Sequence, residues 1–201
     1  ELENNDFLDG CITNFVTDDI LNYFLNKREN LKNIVLRKNK EIIDYGIELP
    51  SNGFEIPIPP HNQLDLSKYK LSHGKSNFLT SVISSYGCPH KCSFCVSSKI
   101  NYRYRDPDNI IQELDFLKKI GVREIIFKDN IFGFHKRIYK ELLKKMIDKK
   151  YNFSWVSDSR VDILDEEILQ LMSKSGCHAL HFGIETKNEK TLQDYDKKLK
   201  N

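Results

Sequence analysis

The chain has 201 residues, with 31 Lys or Arg against 29 Asp or Glu, which leaves a formal net charge of +2. That near balance argues against a nucleic-acid binder held mainly by a basic face. Hydrophobic residues make up 39% and include 12 Phe, 9 Tyr and 1 Trp, enough for a packed core and against wholesale disorder. The longest apolar runs, around Ile34–Leu36 and Glu124–Phe127, fall far short of the roughly 18 residues that cross a bilayer. The opening stretch, Glu1 to Asp6, is acidic and polar, the opposite of a signal peptide. A soluble, cytoplasmic protein without a membrane span is expected. The first residue is Glu, and Asn201 follows a Lys-rich helical pattern without a cap, so both ends read as cut and the chain as a fragment.

Residues 1–48 open with an apolar segment at Phe7–Ile12 that suits a short strand. Thr17 or Asp18 then caps an expected helix through Ile20, Leu21, Phe24 and Leu25, and Ile34–Arg37 and Glu41–Asp44 flank Lys38-Asn39-Lys40 as a hairpin. Residues 49–76 carry Pro50, Pro57, Pro59 and Pro60 with little apolar periodicity, and read as a linker that wraps rather than packs.

From residue 77 onward strands and helices alternate. Phe78–Ser84 reads as a strand ending at Gly87, and a helix opens at Pro107 or Asp108 and stops at Gly121. Glu124–Phe127, Phe153–Val156 and Ala179–Ile184 read as strands; helices are expected at 138–147, at 165–172 with Asp165 as cap, and at 189–199. This alternation calls for an α/β fold with a parallel sheet and right-handed crossovers. Residues 77–201 provide about four such units, roughly half of the ~250 residues that close a TIM-like (β/α) barrel, so a partial barrel is expected.

Five cysteines are present: Cys11, Cys88, Cys92, Cys95 and Cys177. An odd number, with three inside eight residues, makes a poor disulfide framework. The loop after the first barrel strand reads Gly87-Cys88-Pro89-His90-Lys91-Cys92-Ser93-Phe94-Cys95, a C-x3-C-x2-C spacing. Three thiolates on one loop suit three irons of a 4Fe–4S cluster and leave the fourth open, as a catalytic centre requires. A zinc-stabilised, non-catalytic binding module is the alternative, with His90 or a distant His as fourth ligand, although a second C-x2-C pair is missing. Cys11 and Cys177 sit beside apolar segments and read as small core residues.

The Cys88-Cys92-Cys95 spacing, with Phe94 before the last Cys, resembles the signature of the radical S-adenosylmethionine (SAM) superfamily. The resemblance implies that Cys88, Cys92 and Cys95 bind a 4Fe–4S cluster and that SAM chelates the open iron. Reductive cleavage of SAM would then give a 5′-deoxyadenosyl radical. It further implies cofactor contacts at the ends of the later strands. Asp129 is the expected acceptor for the SAM ammonium, and Glu185, in Phe182-Gly183-Ile184-Glu185-Thr186, the acceptor for the ribose hydroxyls. Phe94 would cover the adenine. Arg160 would pair the SAM carboxylate or hold Asp129 or Glu185, with a structural ion pair as an equal reading. An electron donor such as flavodoxin or ferredoxin and a small-molecule or peptide substrate complete the expectation.

Several features take blander readings. Tyr102-Arg103-Tyr104-Arg105 holds too few cations for nucleic acid and is expected to pack on the first helix. His181 faces either the barrel interior or, as the favoured reading, a satisfied core site, and the Lys-rich stretches at 136–150 and 197–200 read as solvated helix faces. Residues 1–70 are similar to the junction of cobalamin-binding radical SAM proteins, in which 1–48 would be the tail of a Rossmann-like cobalamin domain. That likeness implies cobalamin and a methyltransferase or cyclase. It names no cobalt ligand, since Asp-x-His-x-x-Gly does not occur here.

Overall fold

A computed structural model describes residues 2–14, 18–48 and 53–199. The chain divides into two compact units, Glu1–Asn52 and Gly53–Asn201. Among the described residues no helix is long and apolar enough to cross a membrane.

In the first unit, β1 (Gly10–Ile12), β2 (Ile34–Lys38) and β3 (Glu41–Asp44) form a three-stranded sheet in the order β1-β2-β3, antiparallel throughout. Asn39 and Lys40 turn the β2–β3 hairpin with φ of 51° and 69°, the positive pair that a tight primed turn needs. Helix α1 (Asp19–Phe24) connects β1 to β2. Asp18 stands at its N-cap without a side-chain cap bond, and Thr17, the other expected cap, lies outside the described residues. The anchor is instead Asp19, which is buried and accepts from Lys32 N at 2.7 Å and Asn33 Nδ2 at 3.2 Å.

The second unit is built on four parallel strands, β4 (Leu79–Val82), β7 (Glu124–Phe127), β8 (Ser154–Ser159) and β9 (Cys177–Phe182), paired in chain order. Between β4 and β7 lie β5 (Ser85–Tyr86) and β6 (Arg103–Tyr104), an antiparallel ribbon two residues deep. The sequence reading ran the first strand straight on to Gly87; the chain instead leaves the sheet after Val82 and forms this ribbon. Helices α2 (Pro107–Lys119), α3 (Lys136–Asp148) and α4 (Glu166–Lys174) connect successive strands, and α5 (Glu189–Asp194) follows β9. Asp106 caps α2, its side chain accepting from Asp108 N and Asn109 N, and Asp165 caps α4 through Ile168 N.

Strand alternation divides the sheet into two faces. Ile125, Phe127 and Trp155 are fully buried in the helix-side core, with Leu114, Leu117, Leu143 and Ile168, and Leu180 packs against it. Ring packing of Phe127 on Trp155 (5.2 Å) and of Phe132 on Tyr139 (4.4 Å) fills the space under α3. Glu124, Asp158 and His181 belong to the opposite, inner face, where Glu124 pairs with His178 at 2.8 Å and Asp158 with His181 at 3.0 Å.

The proline-bearing segment, expected to wrap without packing, contributes to the interior of the second unit. Leu66 joins the core, and His61 is buried with Nδ1 2.9 Å from Thr80 Oγ1 and Nε2 2.7 Å from Glu113 Oε1. The other Glu113 oxygen pairs with Arg105, which has no exposed surface and also binds Asn109 Oδ1 at 2.6 Å and the Ile83 carbonyl at 3.3 Å. Asn109 in turn exchanges hydrogen bonds with Ile56 N and O, both 3.1 Å. One buried carboxylate therefore ties the incoming segment, β4 and α2 together. Replacing Glu113 by Ala leaves a buried guanidinium uncompensated and should cost about 3–5 kcal/mol of unfolding free energy. Urea unfolding measures it, and a loss near zero would contradict this account.

Candidate active site

The cysteine loop is held at its base before any cofactor is considered. The β5–β6 ribbon joins its two ends, Cys88 N donates to Ile100 O at 3.2 Å, and Arg105 N donates to Ser84 O at 2.9 Å. Gly87 enters the loop at φ +75°, and a Cβ there would lie 2.4 Å from the Asn101 carbonyl oxygen, so only glycine fits. Cys95 N donates to Cys92 O at 3.1 Å, a tight turn that brings the last two cysteines onto one rim. A 3₁₀ turn at Val96–Lys99 follows, fastened by Ser98 Oγ to Cys95 O at 2.6 Å and by Asn130 Nδ2 to Ser97 Oγ at 2.9 Å. The second of these bonds ties the loop to the end of β7.

Cys92 is buried, and Cys88 and Cys95 are half-buried. Burial pushes the Cys88 thiol up; a His90 backbone hydrogen bond pulls it down, the charges of Cys95 and Cys92 push it up again, and Arg160 pulls it down. Cys88 thus senses the charges of both other loop cysteines and of Arg160. The donor set, three soft ligands on one short loop with no fourth cysteine among them, fits a 4Fe–4S cluster with one iron left open. Among the described residues no three His, Cys, Asp or Glu side chains are gathered on one point, the three loop cysteines included. His90 faces Phe134, ring centroids 6.0 Å apart. Cys177 packs against the core, and burial raises its thiol to about 11.

Asp129, the expected acceptor for the SAM ammonium, lies at the base of the cysteine loop. It is 2% exposed, and its carboxylate is occupied by protein donors. Oδ1 accepts from Ser84 N at 2.7 Å and Ser85 N at 2.9 Å; Oδ2 accepts from Tyr139 OH at 2.8 Å and from Ser84 Oγ. Burial pushes its pKa up while these donors pull it down. Its work is to grip the point where β4 turns out towards the cysteines, from the end of β7 and with help from α3. Ser84 at the end of the first strand was visible in the sequence as a polar strand end; Tyr139, on a helix face, carried no such signal.

Arg160 holds neither Asp129 nor Glu185. It forms a two-point pair with Asp162, Nε to Oδ1 at 2.9 Å and Nη2 to Oδ2 at 2.8 Å, and Nη2 also reaches Lys198 O at 2.9 Å. The Asp162 pair raises the Arg160 pKa, burial opposes it, and the charges of Cys92 and Cys88 add a smaller rise. Phe94 is 53% exposed and meets Tyr195 edge-on at 5.5 Å. Glu185 sits at φ +64° and pairs with Lys197 Nζ at 2.8 Å. His181 is half-exposed on the inner face and meets His73 edge-on at 4.9 Å, while His178 is the satisfied histidine. Lys197, read as part of a solvated face, is 6% exposed.

Phe94, Arg160 and Glu185 thus gather around the cysteine loop through the 195–198 segment, and Asp129 lies beneath it. Asp129→Asn would replace one acceptor oxygen by an NH2 group facing two of the four donors, with an expected loss of about 1–3 kcal/mol in a denaturant melt. An unchanged melt with weakened SAM binding would return Asp129 to the ligand-contact role.

A family model described as the radical SAM superfamily matches residues 82–201. An uncharacterized methyltransferase of Pyrococcus horikoshii is 32% identical over 177 residues, covering 84% of this chain and 38% of that protein. The anaerobic magnesium-protoporphyrin IX monomethyl ester cyclase of Synechocystis is 26% identical over 180 residues, covering 84% and 34%. Among solved structures, the radical SAM methyltransferase TsrM of Kitasatospora setae, with cobalamin and a [4Fe-4S] cluster bound, superposes with a TM-score of 0.68 at 17% identity. That match covers 93% of this chain and 40% of TsrM, and it concerns the fold alone. The chain spans 38% and 34% of the two curated relatives. With the family model matched across more than half of its length, the chain belongs to the radical SAM superfamily.

Proposed function

We propose that Cys88, Cys92 and Cys95 each bind one iron of a 4Fe–4S cluster, and that SAM takes the remaining iron. The observation that carries this reading is the clamped loop itself: three thiols held at the mouth of a parallel sheet, one buried and two half-buried. Cluster and SAM together supply one-electron cleavage of a carbon–sulfur bond when bound.

The chain's own residues bind, orient and shield. Phe94 offers an exposed ring next to Cys95 for the adenine. Glu185 offers a carboxylate that is still 42% exposed for the ribose hydroxyls. Arg160 is compensated at two points by Asp162, and Nη1 of its guanidinium would be the donor offered to the SAM carboxylate. Asp129 keeps the loop seated. Asp158 and His181, on the inner face, look toward the space where a substrate would sit.

Residues 77–201 are read as the first part of the barrel, 49–76 as the segment that leads into it, and 1–48 as the tail of a cobalamin-binding domain. The names of the methyltransferase and cyclase relatives and the cobalamin in TsrM support a cobalamin-dependent methyltransferase or cyclase. A flavodoxin or ferredoxin would supply the electron to a small-molecule or peptide substrate reaction in the reducing cytoplasm, an assignment that suits five free cysteines.

Anaerobic reconstitution should give roughly four irons and four acid-labile sulfides per chain, as a single cubane requires. Cys92→Ala should abolish both, and Cys177→Ala should leave both unchanged. In the complete protein, SAM plus a reductant should yield 5′-deoxyadenosine. Zinc in place of iron, or equal iron loss from both variants, would overturn the assignment.

A further inference from the structure

The residues after α5 were expected to be solvent-facing helix, and they are not. The helix ends at Asp194, Asp196 turns back at φ +49°, and Lys197 N donates to Leu192 O at 2.8 Å. The returning chain then lies against the cofactor residues. Ser93 N, inside the cysteine loop, donates to Tyr195 O at 2.9 Å, and the Tyr195 ring meets Phe94 edge-on. Arg160 donates to Lys198 O at 2.9 Å. A four-residue segment therefore touches each of the three side chains assigned above to SAM.

Lys197 is the centre of this contact. Its side chain is 6% exposed, whereas that of Lys198 beside it is 85% exposed. A withdrawn ammonium needs compensation, since desolvation of an unpaired charge is costly. Two groups provide it: Glu185 Oε1 at 2.8 Å and the face of Phe94, with Nζ 5.8 Å from the ring centroid. The pair lies over Gly183, where an added Cβ would come within 2.8 Å of Glu185 Oε1 and 3.2 Å of Lys197 Nζ. Glu185 itself is non-glycine backbone at φ +64°, a conformation that persists only when its surroundings hold it. The lysine engages Oε1 while 42% of the Glu185 side chain stays accessible.

We propose that Lys197 is a positioning residue for the nucleoside half of SAM: it fixes the Glu185 carboxylate toward the ribose hydroxyls and fixes the Phe94 ring toward the adenine. The proposal rests on the reading of Glu185 and Phe94 given above. In this arrangement a cation from the strap after α5 and a carboxylate from the end of β9 form one unit, and the ribose meets that unit.

The test uses the full-length protein, anaerobically reconstituted, and equilibrium dialysis with SAM and with its 2′-deoxy analogue. The wild type should favour SAM by about tenfold, the worth of one charge-assisted hydrogen bond. Lys197→Met, which keeps the aliphatic stem, should leave iron and sulfide content unchanged and weaken SAM by about tenfold. It should also shrink the preference to about twofold or less, because a loosened Glu185 no longer reads the hydroxyl. Lys197→Arg should restore part of the preference, and Glu185→Gln should cost little more in the Lys197→Met background. Weaker binding with the full preference retained would make Lys197 merely structural, and unchanged binding would remove any role; either overturns the proposal. A wild type that takes up its cluster and binds SAM without regard to the 2′-hydroxyl would overturn the Glu185 reading, and this proposal with it.

Discussion

The Asp129 carboxylate sits at the point on which the rest of the site depends. Four donors from two neighbouring serines and a helix tyrosine converge on its two oxygens, and all three donor residues lie far from it in sequence or on another element. Buried hydrogen-bond networks of this kind are rigid when fully satisfied and costly when any member is lost. The chain leaving β4 is therefore directed outward at one angle, and the β5–β6 ribbon inherits that direction. Without it, Cys88 would begin a long free loop; with it, Cys88 begins a framed one.

Around that frame the charges are arranged in opposed pairs. Arg160 pairs with Asp162, and Lys197 lies over Phe94 and pairs with Glu185. Arg160 directly follows β8 and Lys197 follows α5, and their carboxylates lie two and twelve residues away in the chain. The same edge of a parallel sheet, where loops leave the strands, collects them all, in keeping with the general location of chemistry in such folds.

How much of this was legible in the sequence depends on how local each cause is. Helix α2 lies where its apolar spacing and Gly121 put it, and β7 occupies Glu124–Phe127 as read, because both are set by patterns within one element. The three-cysteine spacing is likewise local. The ribbon escaped notice since two residues have no period. Asp129 is legible as a strand-end acid, but its hydrogen bonds to Ser84, Ser85 and Tyr139 are not, because no local pattern links those residues. Lys197 lay hidden among lysines of identical type; only the turn at Asp196 distinguishes it from Lys198. His61 was similarly obscured, since its burial depends on Glu113, a helix acid that no local pattern marks, whereas Arg105 packs on the first barrel helix as expected.

The two-residue ribbon at the base of the cysteine loop bears on how the loop tolerates change. Its ends are joined by backbone bonds and by the close approach that Gly87 permits. An insertion between the cysteines would therefore alter their spacing while the sheet and helices beneath keep their places.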